Sequence, residues 1–98
     1  MPIPHPRYPY TRFIAEGAPE TPGLYALWEG DELVYLGRAS AEATIRSRLL
    51  EHLGGTFCPQ ATHYSWELTL QAAAREAELL GEFRRQFGRL PRHNGARG

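Results

Sequence analysis

Five polar side chains of this 98-residue chain lie in or beside apolar runs, where a core alone has little use for them. Tyr25 and Tyr35 each lie two residues from a glycine within short apolar segments. Arg48 and His52 are four residues apart, so both side chains would leave a helix in one direction. Glu76 lies among alanines and leucines. Phenols, imidazoles and carboxylates transfer protons or bind cations, and these five residues are therefore the candidates for chemistry.

The carboxylate of Glu76 predicts a cationic neighbour. Residues 71–87 predict the longest helix, and Glu76 falls in the middle of its apolar stripe. Glu78 and Glu82 fall on the opposite, solvated face, where arginines accompany them. Because a buried carboxylate without a partner is strongly destabilising, we expect a cation beside Glu76. An arginine and a metal ion both meet that requirement.

The two tyrosines belong to a predicted β-hairpin. Segments 23–28 and 32–37 have strand-forming residues, and residues 29–31 supply the turn. A three-residue turn would place Tyr25 directly opposite Tyr35 on one face of the sheet. A two-residue turn would place them on opposite faces, unless a bulge restores the pairing. The sequence leaves this register open.

The remaining segments predict an α+β fold with a small three-stranded antiparallel sheet flanked by helices. A helix over 41–53, with Ser40 as its N-cap, carries Arg48 and His52. Residues 63–68 alternate and predict the third strand. The domain organisation that we expect is an irregular proline-rich lead-in at 1–21, one domain at 22–94 and a tail at 95–98.

Charge and cysteine content bear on whether the chain binds nucleic acid and on its cellular compartment. Eleven arginines, no lysine and eleven acidic residues give a net charge of zero, which is weak support for a general nucleic-acid binder. Five arginines nevertheless follow residue 83 without any acid, and a second basic group comprises Arg38, Arg46 and Arg48. One basic face can still bind phosphates, although a solvated tail explains the same pattern. The single cysteine, Cys58, and the lack of a membrane-length apolar run indicate a cytoplasmic protein.

Several short motifs together resemble one protein family. Gly23-Leu24-Tyr25 and Tyr35-Leu36-Gly37 resemble the paired motifs of the GIY-YIG nuclease superfamily, with leucine for isoleucine in both. The segment from Arg48 to His52 resembles the R-L-x-x-H segment of its first helix, and Glu76 resembles its metal-binding glutamate. Asn94, three residues after Pro91, resembles the terminal P-x-x-N. The resemblance spans residues 22–94 and is to the small stand-alone members.

The chain also departs from the family's pattern at two intervals. The span from Gly37 to Arg48 is longer by nearly one helical turn, which makes Arg46 a rival for the arginine's role. The interval from Glu76 to Asn94 is also longer than in the family's repair enzymes. Glu78 and Glu82 are alternatives to Glu76 by spacing, but the helical wheel argues against both.

The resemblance implies metal-assisted hydrolysis of DNA phosphodiester bonds. Glu76 would hold one Mg²⁺ or Mn²⁺ ion, and Arg48 would stabilise charge on the phosphate oxygens. Tyr25 would act as general base, for which its phenol needs a lowered pKa, and His52 is a relay or a rival base. Tyr35 would orient water or phosphate.

The resemblance also implies how substrate and partners are recognised. Gly37, Arg38 and Arg46 would contact substrate, while Asn94 would brace the sheet or the scissile strand. We expect DNA, branched or damaged, as substrate, and a homodimer or a protein partner for targeting. A non-cleaving nucleic-acid-binding module is the alternative. A third reading is a protein-interaction domain with an aromatic patch formed by Tyr8, Tyr10 and Phe13.

Overall fold

The computed structural model describes residues 7–39, 43–54 and 60–95. Four strands and four helices follow one another in this part of the chain. They are β1 (Tyr8–Pro9), α1 (Arg12–Ala15), β2 (Gly23–Glu29), β3 (Glu32–Ala39), α2 (Ile45–Gly54), β4 (His63–Glu67), α3 (Ala72–Phe87) and α4 (Arg92–Gly95). None of these described helices is long and apolar enough to cross a membrane.

The α+β class is confirmed, but the predicted number of strands was wrong. The antiparallel sheet has four strands in the order β1-β4-β2-β3. The additional strand, β1, is two residues long and lies within the proline-rich lead-in, where no periodic pattern indicates a strand. It forms at the sheet edge because Tyr8 pairs with Tyr64 and packs on its ring, with ring centroids 5.6 Å apart.

Hydrogen bonds from two tyrosine hydroxyls connect the rest of the lead-in to the domain. The hydroxyl of Tyr64 donates to the carbonyl of Ile14, and that of Tyr10 donates to the carbonyl of Leu49. Burial, and then the neighbouring Tyr8, raise the pKa of Tyr64, which favours the protonated donor. The aromatic patch expected from this segment is therefore mostly part of the core, and only Phe13 is strongly exposed.

Helices cover both faces of the sheet. One face carries a core that includes Leu27 and Tyr35 of the hairpin, with Ile45 and Leu49 of α2 packed on it. The other face carries Leu24 and Leu36, against which Leu79 of α3 packs with Ala72 and Phe83. Each strand of the hairpin therefore contributes side chains to two buried layers, which explains why most of the hairpin is apolar.

The hairpin combines a two-residue turn with a bulge. Glu29 pairs with Glu32 across the turn, in which Gly30 has a φ of +62°. The register then shifts between Trp28, opposite Leu33, and Leu27, opposite Tyr35. This leaves Val34 as the extra residue of the bulge, and Val34 and Tyr35 both face the α2 side.

That register brings the two tyrosines to one face. Tyr25 pairs with Gly37, and Tyr35 lies two pairs further along, opposite Leu27. Tyr25 is therefore diagonal to Tyr35 rather than directly opposite, as the three-residue turn would have placed it. The bulge is the alternative that the sequence left open, and it is the one that this chain uses.

The long helix follows its prediction closely, and the helix before it begins later than predicted. The α3 helix ends at Gly88, which has the left-handed φ of 76° that favours glycine. The α2 helix begins at Ile45. The predicted N-cap, Ser40, and the first predicted helical residues at 41–42 lie outside the described residues.

Asn94 of α4 bonds to the edge strand β3. Its Oδ1 accepts a hydrogen bond from the Leu36 N–H at 2.9 Å, and its Nδ2 donates to the Leu36 carbonyl at 2.8 Å. Leu36 is fully buried, so without Asn94 both backbone groups would lack a partner among the described residues. The side chain thus completes the ladder of an edge strand as a neighbouring strand would.

Replacing Asn94 by alanine should destabilise the domain by roughly 1–3 kcal/mol, because two buried backbone groups lose their partners. Asn94→Asp should not restore stability at neutral pH, since its second oxygen would face the Leu36 carbonyl. Urea unfolding followed by circular dichroism measures both. Gln86→Ala, at an exposed position of α3, is the control and should stay within about 0.5 kcal/mol. Equal stability of Asn94→Ala and wild type would contradict this role.

Candidate active site

Two tyrosines and a histidine form a compact cluster on the α2 face of the sheet. The ring centroids of Tyr25, Tyr35 and His52 lie 5.6 to 6.0 Å from one another. The hydroxyl of Tyr25 lies 2.8 Å from Nε2 of His52, a hydrogen bond whose direction depends on the histidine tautomer. The cluster therefore contains a direct path for a proton between a phenol and an imidazole.

Gly37 is the residue that makes room for the two phenols. A Cβ atom at this position would lie 2.7 Å from the Tyr35 ring and 2.8 Å from the Tyr25 hydroxyl. Real Cβ atoms do not approach this closely. Glycine is thus required at this position because the rings that pack on the strand leave no space for a Cβ atom.

Helix α2 positions His52 through its apolar stripe. Ile45 and Leu49 are fully buried against the sheet, and His52 continues their stripe one turn later. The two tyrosines are each only 2% exposed, whereas His52 is half-buried. Solvent therefore reaches this cluster more readily at His52 than at either phenol.

The carboxylate of Glu76 lies on the other side of β3, facing Arg38. The Glu76 side chain is only 19% exposed, and among the described residues its one cationic neighbour is Arg38, with Nε 4.0 Å from Oε1. That distance is too long for a hydrogen bond. Arg38 is the cation that the buried position of Glu76 predicted, but it satisfies the carboxylate incompletely.

In a neighbouring ion pair, the arginine and the carboxylate are close enough to form hydrogen bonds. Arg75, the residue before Glu76, bonds Glu67 of β4 through two nitrogens at 2.7 and 3.2 Å and reaches Glu78 at 2.9 Å. These hydrogen bonds, with Glu67 first, raise the pKa of Arg75 above its ordinary value. In contrast, the nearest described cation lies 4.0 Å from Glu76, which leaves room at its carboxylate for a cation or water molecules.

The donor chemistry at Glu76 suits a hard divalent cation. No group of three or more His, Cys, Asp and Glu residues that could hold a metal ion occurs in the described part of the chain. Mg²⁺ needs no such cage, because it keeps several waters and binds one or two carboxylates together with substrate phosphate. A mostly buried carboxylate whose nearest cationic partner among the described residues is 4.0 Å away fits that mode of binding.

The two rival arginines of α2 have different neighbours. Arg46 donates from Nε to the Ala18 carbonyl at 2.8 Å and pairs with Glu20 at 3.2 Å. It therefore fastens the chain before β2 to the helix. Arg48 pairs with Glu51 at 3.0 Å, while its Nε is buried and has no hydrogen-bond partner among the described residues.

The structure brings some of the predicted site residues together and separates others. Tyr25, Tyr35, His52 and Gly37 are in contact on one face of the sheet, and Arg48 lies one turn before His52 on α2. Arg38 and Glu76 form a second group on the α3 face. The two groups meet at β3, where Gly37 and Arg38 are consecutive. Arg46 and Asn94 both bond other parts of the domain.

Sequence reasoning did not pair Arg38 with Glu76. The signal was present, because Arg38 and Leu36 share a face of β3 and that face packs on α3. The C-terminal basic group is also less free than its sequence suggests. Arg89 and Arg92 pair with acids of the hairpin turn, at 3.5 Å for Arg89–Glu32 and 3.0 Å for Arg92–Glu32.

Comparison with solved structures identifies the fold. No family model matches the sequence, and no curated protein matches it. A solved structure that is similar is the GIY-YIG N-terminal endonuclease domain of UvrC from Thermotoga maritima bound to its catalytic divalent cation, magnesium. It is 22% identical, with a TM-score of 0.66 over 84% of this chain and 92% of that chain.

Point mutants of the same UvrC domain are similar to the same extent. One carries phenylalanine for a tyrosine and another carries alanine for an asparagine, and both are bound to the catalytic divalent cation. Each is 22% identical, with a TM-score of 0.65 over 84% of this chain and 91% of the other. The chain therefore has the GIY-YIG fold.

Proposed function

We propose that this chain is a metal-dependent endonuclease that hydrolyses DNA phosphodiester bonds. The observation that carries the proposal is one arrangement at β3. Tyr25 bonds His52 and packs on Gly37. The next residue of the strand, Arg38, faces Glu76. The fold shared with an endonuclease domain supports it. Branched or damaged DNA is the substrate class that we propose, in a repair-related role, because the similar structures come from UvrC.

Glu76 would hold the divalent cation, Mg²⁺ or Mn²⁺. Its carboxylate has the open coordination that such an ion requires, and the similar UvrC domain is bound to magnesium. When bound, such an ion neutralises charge on the phosphate and favours deprotonation of water. Arg38 lies beside the carboxylate and would contribute a second positive charge to a phosphate at the end of β3.

Tyr25 and His52 would act as one base rather than as rivals. The phenol oxygen accepts the proton of the attacking water as its own proton passes to Nε2 of His52, 2.8 Å away. Because His52 is the more exposed of the two, it would return that proton to solvent. Tyr35 packs on both rings and would hold them in this orientation.

Arg48 would stabilise the charge that develops on the phosphate oxygens. Its buried Nε lacks a partner among the described residues, and an unpaired buried donor is costly unless a ligand satisfies it. Arg46 remains a candidate for substrate contact. Its bonds to Ala18 and Glu20 leave it less free to bind phosphate than Arg48.

A non-cleaving nucleic-acid-binding module is the second candidate function. It is favoured by Arg38, which already places a positive charge beside Glu76, and by the lack of a group of three metal-binding side chains among the described residues. The net charge of zero and the pairing of Arg89 and Arg92 with acids would make its binding to DNA weak. Wild-type protein that binds DNA but cuts no labelled branched, single-stranded or duplex substrate with Mg²⁺ or Mn²⁺ would establish this alternative.

Replacing Glu76 by glutamine should lower the rate of Mn²⁺-dependent cleavage by on the order of 10²-fold or more, because the cation loses its anionic ligand. The melting temperature should change little, since Arg38 lies only at 4.0 Å. Glu78→Gln is the matched control on the same helix and should retain activity. Equal activity of Glu76→Gln and wild type on labelled branched DNA would exclude this carboxylate as the metal ligand.

Tyr25→Phe and His52→Gln should each lower the single-turnover cleavage rate by about 10²–10⁴-fold. The double variant should be no slower than the slower single variant, because both changes interrupt one proton path. Losses that multiply in the double variant would instead show that the two residues act independently. Thermal unfolding of all three proteins separates these losses from misfolding.

Replacing each arginine of α2 in turn should distinguish a role in stability from a role in catalysis. Arg46→Ala should destabilise the domain by about 1–2 kcal/mol through its lost hydrogen bond, with activity retained well below the melting temperature. Arg48→Ala should not destabilise the domain by more than about 0.5 kcal/mol, since its pair with Glu51 is exposed. Its cleavage rate should fall by about 10²–10³-fold. The reverse pattern would assign the catalytic role to Arg46.

A further inference from the structure

The loop between β4 and α3 exposes two large apolar side chains beside the candidate site. Leu68 is largely exposed, and Leu70 is 104% exposed, more than a leucine in an extended reference chain. The loop leaves the sheet at the end where Arg38 lies, because Leu24 pairs with both Arg38 and Glu67. Two exposed leucines within three residues have no role in the described core.

A groove of about 710 Å³ connects this loop to Arg38. Its lining comprises residues 69–71 of the loop, the first three alanines of α3, and Pro22, Arg38 and Ala39. The volume lies within the ~300–1,000 Å³ range of sites that bind small organic ligands. Among the described residues, Arg38 is the only ionic group of this lining, and its Nε faces Glu76 on the next turn of α3.

An apolar groove with one cation at its side is complementary to a nucleotide. The guanidinium of Arg38 suits a phosphate, and the alanine, proline and leucine surface suits a base face or a sugar. The lining described contains no carboxylate that would repel the phosphate. Charge and polarity therefore both match a nucleotide next to a phosphate bound near Glu76.

The exposed leucine favours an unpaired nucleotide over one within a duplex. Leucine cannot form hydrogen bonds with base edges, so its favourable contacts are with base faces and sugars. Neighbouring bases cover those faces in a stacked duplex, and apolar side chains reach them only where bases unstack. A flap, a junction or a damaged site presents such a base without the cost of opening the helix.

We propose that this groove binds an unpaired nucleotide of the DNA substrate, with Leu70 against the base and Arg38 on the phosphate. The inference rests on the proposed nuclease function and specifies its substrate class, which is DNA with a single-stranded segment beside the scissile bond. It assigns Leu70 a role in selecting substrate rather than in the chemical step.

Binding measurements test this role independently of cleavage. The full chain is titrated, in EDTA, into a labelled duplex and into the same duplex carrying a single-stranded flap with 2-aminopurine at the junction. Wild type should prefer the flap, and Leu70→Ser should lose roughly tenfold of that preference. The 2-aminopurine fluorescence change seen with wild type should also disappear.

Three further variants control for loss of an apolar residue and of a charge. Leu70→Met keeps an apolar side chain and should keep the preference, as should Phe13→Ser, which alters an exposed apolar residue on α1. Arg38→Gln should weaken flap and duplex alike, because both contain phosphate.

The outcomes separate this proposal from the nuclease proposal. A wild type without flap preference, or a Leu70→Ser variant that retains it, would overturn the role of the groove even if the protein cleaves DNA. A Leu70-dependent preference in a protein that cuts nothing would uphold the groove and exclude the nuclease.

Discussion

The candidate site depends on which face of the sheet each side chain of the β2–β3 hairpin occupies. A two-residue turn at Gly30-Asp31 alone would direct Tyr25 and Tyr35 to opposite faces, because adjacent registers differ by one residue. The extra residue of the bulge, Val34, shifts the register between the turn and the tyrosines. Val34 is itself fully buried, so the bulge adds apolar contact while it redirects the strand.

Each group of the site has a chemically similar neighbour that holds the fold. Arg75 of α3 and Glu67 of β4 form a close ion pair, whereas Glu76, the next residue of α3, remains 4.0 Å from Arg38 of β3. Arg46 bonds a backbone carbonyl, whereas Arg48 keeps a buried nitrogen unpaired within the described residues. Incomplete satisfaction of buried polar groups is rare in native proteins, and a water molecule or a ligand can complete the bonding at such positions. Both incompletely bonded groups are residues that the sequence had singled out.

The sequence predicted what local pattern determines and missed what tertiary contacts determine. The long helix, its end at Gly88 and the apolar hairpin follow from periodicity and turn residues, which act over a few positions. The two-residue strand β1 has no pattern of its own and forms because Tyr8 packs on Tyr64. The choice of bulge over three-residue turn was likewise undetermined, since burial on both faces removes the alternation that fixes a register.

For the candidate site, the sequence indicated directions along one helix but not contacts between separate elements. The spacing of Arg48 and His52 on one helix allowed their shared direction to be inferred, and His52 does meet Tyr25. The partner of Glu76 required knowledge of which face of β3 packs on α3, and only the assembled sheet supplies that. The motif favoured Arg48 and the interval length made Arg46 a rival, and the tertiary neighbours of the two arginines differ.

Strand β3 must be both fixed and accessible for such a site to work. It is the edge of the sheet, and an unpaired edge invites pairing with a foreign strand. Asn94 occupies both outward backbone groups of Leu36, so foreign pairing is blocked there without a further strand. A fifth strand at this edge would have covered Gly37 and Arg38, the next two residues, which link the tyrosine cluster to Glu76. A single side-chain amide secures the strand just before them, and it therefore stabilises the edge while leaving room for a substrate to approach.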